Sequence, residues 1–425
     1  MQRPFLCILL AIAAWATAPV HVSNAASIAV TTTVDELNTD GDCSLREAIR
    51  AANGNAAVDA CTAGQNDQTD TVTLPAGTYT LTVAGDDNAA AGGDLDLLNN
   101  AAASDLVING AGAATTIIQA CDVDQRSTAC PAGHGVADRV FHVRDATVAI
   151  SGVTIRHGVA PRLNSILPGS GIYIQRASVP ATVSLTDVVV TRNGLIPFNG
   201  FSVEGGGIKN EYGSHLTLTR VTVSENADNT GSGGAGILND GTNNDAAAPA
   251  TLVMTDSTVR DNAGTLNAGA IRNRNGATAT LTGCTISGNT GGGFVNGSTS
   301  TATLTNCTVS GNVSSGGGAG ISNGGTFNLR SSTVTLNNRI LGPSGPDAGG
   351  IVNSNTFFLR NSIVAGNLHY ESNPNSSSPD CLDFNAPGGL TSEGFSVVGD
   401  GKHCPGLVDG LNDNQIGTQG AVIDA

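Results

Sequence analysis

Six copies of one short string constrain what this chain can fold into. A glycine cluster, an aliphatic residue, any residue and an asparagine recur as GGGIKN at 205–210, GAGILN at 234–239, AGAIRN at 268–273, GGGFVN at 291–296, GAGISN at 318–323 and AGGIVN at 348–353. A second string alternates with it, a pair of short alternating segments closed by asparagine. Its clearest copies are LTLTRVTVSEN at 216–226, ATLTGCTISGN at 279–289 and ATLTNCTVSGN at 302–312, with VSLTDVVVTRN and FFLRNSIVAGN as looser ones. The period is 23 to 36 residues, and the variation falls between the second asparagine and the next glycine cluster. A unit this small cannot bury its own apolar face, so each copy must stack on its neighbours.

The periodicity inside the unit says how. Apolar residues alternate with Thr, Ser or Arg, which is strand and not helix spacing. Leu216, Leu218, Val221 and Val223 fall on one face, with Thr219-Arg220 as a corner between them. Short strands joined only by turns at fixed register predict an all-β parallel solenoid, each turn resting on the last. Asn210, Asn239, Asn273, Asn296, Asn323 and Asn353 form one stacked set, and Asn193, Asn226, Asn262, Asn289, Asn312, Asn337 and Asn367 a second. Stacked amides can hydrogen-bond along the axis and satisfy a tight buried turn. Less regular turns precede the repeats, as in DTVTLPAGTYTLT, GDLDLL, DLVINGAGAATTIIQ and RVFHVRDATVAISGVTIRHG. The expected total is roughly eight to ten turns, a rod of about 40–50 Å at one strand spacing per turn. Insertions at 159–170, 194–203, 240–250 and 339–347 are where a binding face is expected.

Composition narrows the partners. The chain of 425 residues carries a formal charge of −16, with no Lys/Arg cluster, which argues against nucleic acid or an anionic membrane. Residues 1–25 read as a secretory signal peptide: Arg3, an apolar core from Phe5 to Ala16, and Ser23-Asn24-Ala25 as a cleavage site. No later stretch has the ~20 apolar residues a spanning helix needs. Removing the signal takes Cys7 and the sole tryptophan, Trp15, and leaves eight cysteines, an even count that implies disulfides in an oxidising compartment. Neighbouring pairs are Cys43–Cys61, Cys121–Cys130, Cys284–Cys307 and Cys381–Cys404, but spacing leaves the connectivity open. Cys284 and Cys307 occupy equivalent places in adjacent turns, a separation that permits a disulfide and equally suits two stacked core thiols.

The stretch GDCSLREAIRAAN at 41–53 breaks the pattern. Ser44-Leu45-Arg46-Glu47 is a capping box, and Leu45, Ala48, Ile49 and Ala52 fall on one helical face. Asn53-Gly54 is expected to stop this short α-helix. A solenoid's first turn exposes apolar side chains and unpaired strand edges, so the helix reads as a plug on the coil. The segment DGDCSLREAIRAAN, followed by DTVTLPAGTYTLT, is similar to the N-terminal CSLREA domain of exported bacterial right-handed parallel β-helix proteins, over about residues 28–82. The repeats, to about Asn367, resemble those of bacterial polymorphic outer-membrane proteins, with their GGA[I/L] and FxxN motifs. TSEGFSVVGDGKHC resembles the closing region of such proteins. The resemblance implies a right-handed coil and a secreted or surface location, with no established reaction. Those outer-membrane proteins carry a C-terminal β-barrel; no series of ~10-residue lipid-facing strands follows here, so an integral span is not expected.

Asn38-Thr39-Asp40, Gly85-Asp86-Asp87 and Gly133-His134-Gly135 occur in the order of the NTD, GDD and GHG motifs of polygalacturonases. They sit in loop-like segments, and three-letter strings are cheap in a chain this rich in Gly, Asp and Asn. A uronate-binding Arg-x-Lys strand is missing; the nearest echo is Gly207-Ile208-Lys209. Asp94 and Asp96 share an outer strand face, as lyase calcium ligands would, but read as a solvated pair. Glu36, Asn38, Asp40, Gly41 and Glu47 approximate an EF-hand loop, with the acidic turn as the plainer reading. Arg192, Arg220, Arg260, Arg330 and Arg360 recur near turn ends, as an anion-binding stripe or a solvated face. The seven histidines lie apart, and the four tyrosines (Tyr79, Tyr173, Tyr212, Tyr370) offer few sugar-stacking platforms.

The sequence therefore predicts residues 1–25 as signal peptide, 26–65 as a CSLREA cap, 66–367 as parallel β-helix repeats and 368–425 as a closing segment with Cys381 and Cys404. The expected role is a non-catalytic secreted or cell-surface scaffold, adhesin-like or of the cell envelope, whose partner is an extracellular glycan or a host or cell surface. No residue is assigned a catalytic, cofactor-binding or metal role. The alternative is a polysaccharide-active enzyme, pectate lyase-like or polygalacturonase-like, on the same coil. Carboxylates clustered in one groove and flanked by Arg or Lys would favour the enzyme; a smooth polar face would favour the scaffold.

Overall fold

The computed structural model describes residues 25–423, except 67, 86–87, 99–104, 126–129, 160–165, 195–201, 230–232, 242–248, 266–267, 341–347, 370–378, 386–388 and 419–420. The expected signal peptide, up to residue 24, lies outside the described residues. The chain is a right-handed parallel β-helix. Each turn contributes one strand to each of three long parallel sheets. Sheet I has 12 strands, running from Ser27–Ala29 to Leu390–Gly394; sheet II has 12, from Gly77–Thr80 to Gln415–Ile416; sheet III has 10, from Leu95–Leu98 to Cys381–Asp383. Sheet III thus has the upper end of the expected number of turns. The flanking sheets are longer because Ser27–Ala29 pairs ahead of the first repeat and the closing segment adds strands of its own.

Register explains the core. In sheet I the row Ile150, Leu185, Leu218, Met254, Leu281, Leu304, Leu329 and Leu359 points inward, one residue per turn. Sheet II supplies Ile155, Val190, Val223, Val259, Ile286, Val309, Val334 and Val364. All of these are buried. Phe294, Phe327 and Phe357 meet between the sheets, with ring centroids 5.4 and 4.9 Å apart. The glycine clusters mark the close approach of one turn to the next. A β-carbon on Gly207 would lie 2.5 Å from the Gly236 carbonyl oxygen, so no larger residue fits.

Both asparagine sets form continuous ladders. From Asn193 to Asn337, each Nδ2 donates to the Oδ1 of the next asparagine at 2.8–3.0 Å. The ladder from Asn210 to Asn323 does the same at 2.8–2.9 Å. Each ends on an acid: Asn367 donates to Asp380 at 2.8 Å and Asn353 to Asp383 at 2.9 Å. Donation runs in one direction, towards the C-terminal end, so the last member needs only acceptors.

The cap is α1 (Leu45–Gly54), packed beside the first strands. Ser44 and Glu47 make the reciprocal capping box, and Leu45, Ala48, Ile49 and Ala52 are buried. The helix ends one residue later than the Asn53-Gly54 signal suggests, with Asn55 in the left-handed conformation. Arg46 is fully buried. It bonds Asp35 at 2.7 and 3.1 Å and the carbonyls of Ala90, Gly93 and Asp94, tying the cap to the first loop. Disulfides join Cys43–Cys61, Cys121–Cys130 and Cys381–Cys404, while Cys284 and Cys307 are free core thiols. No described helix is long and apolar enough to cross a membrane.

Candidate functional site

Each sheet III strand has an inward residue, an outward residue and a second inward residue. The outward row reads Asp96, His142, Tyr173, Lys209, Leu238, Arg272, Val295, Ser322, Val352 and Leu382 along the axis. The first four turns carry four different chemistries, whereas the last four carry small or apolar residues. An outward row should be solvated. Instead Asp96 is 0% exposed, His142 3%, Tyr173 5% and Lys209 6%. Asp94 and Asp96, expected as a solvated pair, are thus both buried. The loop before the first strand covers that end of the row, with the Ala90 amide donating to Asp96 at 2.9 Å.

The side chains form one connected network. Asp96 Oδ1 lies 3.0 Å from His142 Nδ1, which orients the ring and leaves Nε2 towards Gln175 at 3.4 Å. The His142 and Tyr173 rings stack, 5.0 Å apart and 9° from parallel. Tyr173 donates its hydroxyl to Glu211, whose other oxygen takes Lys209 Nζ at 2.8 Å. Lys209 also faces Glu204 at 3.4 Å, and Arg274 spans Glu204 and Asp240 at 2.9 and 2.7 Å. On the opposite flank Arg139 pairs with Asp94, its guanidinium carbon 5.4 Å from the Tyr173 ring centre. Asp138 accepts the Asp94 amide at 3.2 Å and the Arg139 amide at 2.8 Å.

This environment separates the acids. Burial, then the Asp94 charge, pushes Asp138 up to about 8, so it holds a proton at neutral pH. Burial raises Asp94 as well, against the pull of Arg139. Glu204 goes the other way: burial opposes ionisation, but bonds to Arg274 and Lys209 outweigh it and hold the carboxylate below its usual range. Burial and Glu211 raise the Tyr173 hydroxyl, and the surrounding carboxylates keep Lys209 charged despite its burial. A protonated acid, ionised carboxylates and an oriented imidazole in one place can move protons in both directions. Asp94, Asp96 and His142 also present ligand atoms within 4.8 Å of one another, a set that suits a divalent cation.

The other sequence candidates lie elsewhere. Asp86 and Asp87 of the GDD string fall outside the described residues. Asn38 and Asp40 belong to the N-terminal loop, where Asn38 bonds Glu36, Asp40 and Glu47. His134 of GHG pairs with Asp122 at the surface. In the EF-hand-like loop Glu36, Asp40 and Asp42 gather within 4.8 Å, but Glu47 is committed to the Ser44 amide at 3.0 Å. Partial burial and the neighbouring carboxylates raise Glu36 and Asp42. Arg192, Arg220 and Arg260 are exposed and paired with Glu225, Asp187 and Asp261, as a solvated face requires. Sequence reasoning missed His142, Tyr173 and the two acids Glu204 and Glu211. The available signal was the middle residue of Leu95-Asp96-Leu97, Phe141-His142-Val143, Ile172-Tyr173-Ile174 and Ile208-Lys209-Asn210.

No protein-family model matches the chain, and no curated protein matches it. Among solved structures it is similar to the mannuronan C-5 epimerase AlgE4 A-module of Azotobacter vinelandii, at 13% identity over 82% of this chain and 87% of that one, TM-score 0.34. It is also similar to the AlgE6 A-module of the same organism (15% identity, 76% and 91% covered, TM-score 0.31). A third likeness is to pectin methylesterase PemA of Erwinia chrysanthemi (12% identity, 92% of each chain, TM-score 0.28). These are likenesses of overall chain path; the fold itself rests on the strand pairing described above.

Proposed function

We propose that the protein is a polysaccharide-active enzyme whose reaction centre is the buried row on sheet III. The observation that carries this reading is the concentration of Asp96, His142, Tyr173, Lys209 and Glu211 on neighbouring strands of sheet III, with Asp94, Asp138, Arg139 and Glu204 packed beside them from the adjoining segments. The sequence reading asked for carboxylates clustered in one groove and flanked by Arg or Lys; the cluster and its flanking cations support the enzyme, while the row itself is buried and not an open groove. A coil needs no such row: later turns are completed with Val295, Ser322 and Val352 at the same position. Burying charges costs several kcal/mol per ion before pairing, so this placement opposes stability. The row advances one chemistry per strand spacing, ~4.8 Å, comparable to the length of one sugar unit in an extended glycan.

In this reading His142, aligned by Asp96, takes a proton from the sugar through Nε2. Asp138, protonated at neutral pH, stands as the matching acid. Arg139 and Lys209 stabilise the negative charge that develops beside Tyr173. The exported, CSLREA-type, cell-envelope character belongs to the same proposal; the three disulfides support an oxidising compartment. The domain division at residues 25, 65 and 367 goes with it. The test is a depolymerisation and proton-exchange screen with pectate, alginate and hyaluronan. Turnover lost in Tyr173→Phe and His142→Gln, with the fold retained, is the expected result. Unchanged turnover in both variants would sink the assignment of the row.

A second reading keeps the surface scaffold. It is favoured by the pairing within the row, where Asp94, Asp96, Glu211 and Lys209 each already have an ionic or hydrogen-bonded partner. A screen without turnover, combined with glycan binding, is its expected outcome.

A further inference from the structure

Near the C-terminal end of the coil, at the corner between sheets I and II, lies a cleft of about 370 Å³ lined by Thr305, Arg330, Ser331, Arg360, Asn361 and Phe395. It is away from the sheet III row. Three features distinguish it from the rest of the corner. First, one position of sheet I is threonine on five successive turns, Thr186, Thr219, Thr255, Thr282 and Thr305, and then becomes Arg330 and Arg360. These two arginines are register partners on adjacent strands, an arrangement that repels. Second, the pair is under-neutralised. Arg192, Arg220 and Arg260 each have a carboxylate within 3.0 Å, whereas Arg330 reaches Glu393 only at 3.8 Å and Arg360 has no ion-pair partner among the described residues. Third, the corner residue of each turn has positive φ and is filled by Gly152, Asp187, Arg220, Asp256, Gly283, Asn306, Ser331 and Asn361, none of which carries an apolar side chain. The next turn puts Phe395 there, at φ 54°, with the residue 62% exposed. A bulky residue in the left-handed region is strained, and an exposed ring gains nothing from the core.

The chain thus bears repulsion and backbone strain at one spot to hold two guanidinium forks beside an apolar ring, in a protein of net charge −16. Paired forks match a carboxylate or sulfate group, and the ring matches the C–H face of a sugar. The volume lies at the lower end of the roughly 300–1,000 Å³ of small-molecule sites, enough for one or two sugar rings. We infer that this cleft binds an acidic sugar unit, a pyranose bearing a carboxylate or sulfate, at a site separate from the sheet III row.

The fold itself supplies conservative variants. Arg330→Thr and Arg360→Thr restore the residue of the preceding turns, and Phe395→Asn restores that of the corner. Calorimetric titration of the disulfide-bonded protein, in the Tyr173→Phe/His142→Gln background to exclude turnover, would use trigalacturonate, a chondroitin sulfate tetrasaccharide, maltotriose and inorganic sulfate. At least one acidic oligosaccharide is expected to bind, at least tenfold more tightly than maltotriose or sulfate, and to weaken with salt. The double threonine variant should lose at least tenfold, and Phe395→Asn should weaken the oligosaccharide while leaving sulfate unchanged. Both sets should melt no lower than the parent. Equal affinity for sulfate alone, or acidic-sugar binding unaffected by the three substitutions, or no binding of either acidic sugar, would overturn the inference. Because binding is read without turnover, the sheet III proposal can fail while this one stands, and the reverse.

Discussion

Asn289→Ala tests the ladder that holds the turns in register. Asn289 is fully buried. Its Oδ1 accepts the Asn262 backbone amide at 2.9 Å and the Asn262 side chain at 3.0 Å, and its Nδ2 donates to Val259 and Asn312 at 3.1 and 2.8 Å. Truncation does not free every partner equally. Asn262 Nδ2 keeps the carbonyls of Val223 and Arg260, and Asn312 Oδ1 keeps the Asn289 amide. The Asn262 amide loses the acceptor it has here, a cost of about 1–3 kcal/mol for a buried donor. Three further lost bonds at about 1 kcal/mol each bring the total to about 4–6 kcal/mol. The assay is guanidinium unfolding followed by circular dichroism, with Thr280→Ala on the exposed face of the same turn as control, expected to lie within about 0.5 kcal/mol of wild type. Asn289→Asp should be worse than alanine at neutral pH, since a carboxylate oxygen would replace the donor facing two acceptors, and should recover as the pH falls. If Asn289→Ala costs no more than Thr280→Ala, the ladder does not hold the turns as argued.

Other outcomes follow from the same geometry. Asp138 keeps its proton in the folded chain up to about pH 8 but loses it near 4 when unfolded. Its contribution to stability is therefore full below about pH 4 and lost as the pH rises towards 8, so Asp138→Asn should flatten the fall in melting temperature between about pH 5 and 8; parallel curves for variant and wild type would refute this. Ile49→Asp puts a carboxylate at a fully buried position in the cap and should cause aggregation or loss of fold on light scattering, whereas a soluble, stable variant would count against the plug. Arg46→Ala takes the ion pair from Asp35, which keeps only the Thr82 and Val83 amides, and strands three carbonyls; it should lower stability by about 3–5 kcal/mol in chemical denaturation. Thiol titration of the chain without its first 25 residues should find two thiols, those of Cys284 and Cys307, and only after denaturation.

Much of the fold was legible because it repeats. The register of Leu218, Leu281 and Leu304, the two asparagine ladders and the Ser44–Glu47 capping box are all local or periodic features, and each copy reinforces the others. The neighbouring cysteine pairs could be named but not joined from spacing alone; three of the four are bonded, and at Cys284 and Cys307 stacking and bonding demand similar spacing. The sheet III row was not legible, for two physical reasons. Its members come one per turn, with His142, Tyr173 and Lys209 separated by 31 and 36 residues and no shared residue type. Its burial also depends on loops, which strand periodicity cannot describe: alternation marks Asp96 as outward, and outward is read as wet. Arg46 shows the same limit, since helix spacing says nothing of the carbonyls it reaches.

The one-way ladders have a consequence for how rods of this kind avoid joining. Every internal rung both receives and gives, so a turn can be duplicated or deleted between Asn193 and Asp380 without altering the bonding of its neighbours. The ends are different. At the N-terminal end Asn193 Oδ1 takes the Gly158 amide, and at the other Asp380 and Asp383 have no amide to offer. The acids therefore terminate the amide chain inside the coil, and the strands of the closing segment beyond them take over the covering of open parallel sheets that would otherwise invite end-to-end growth.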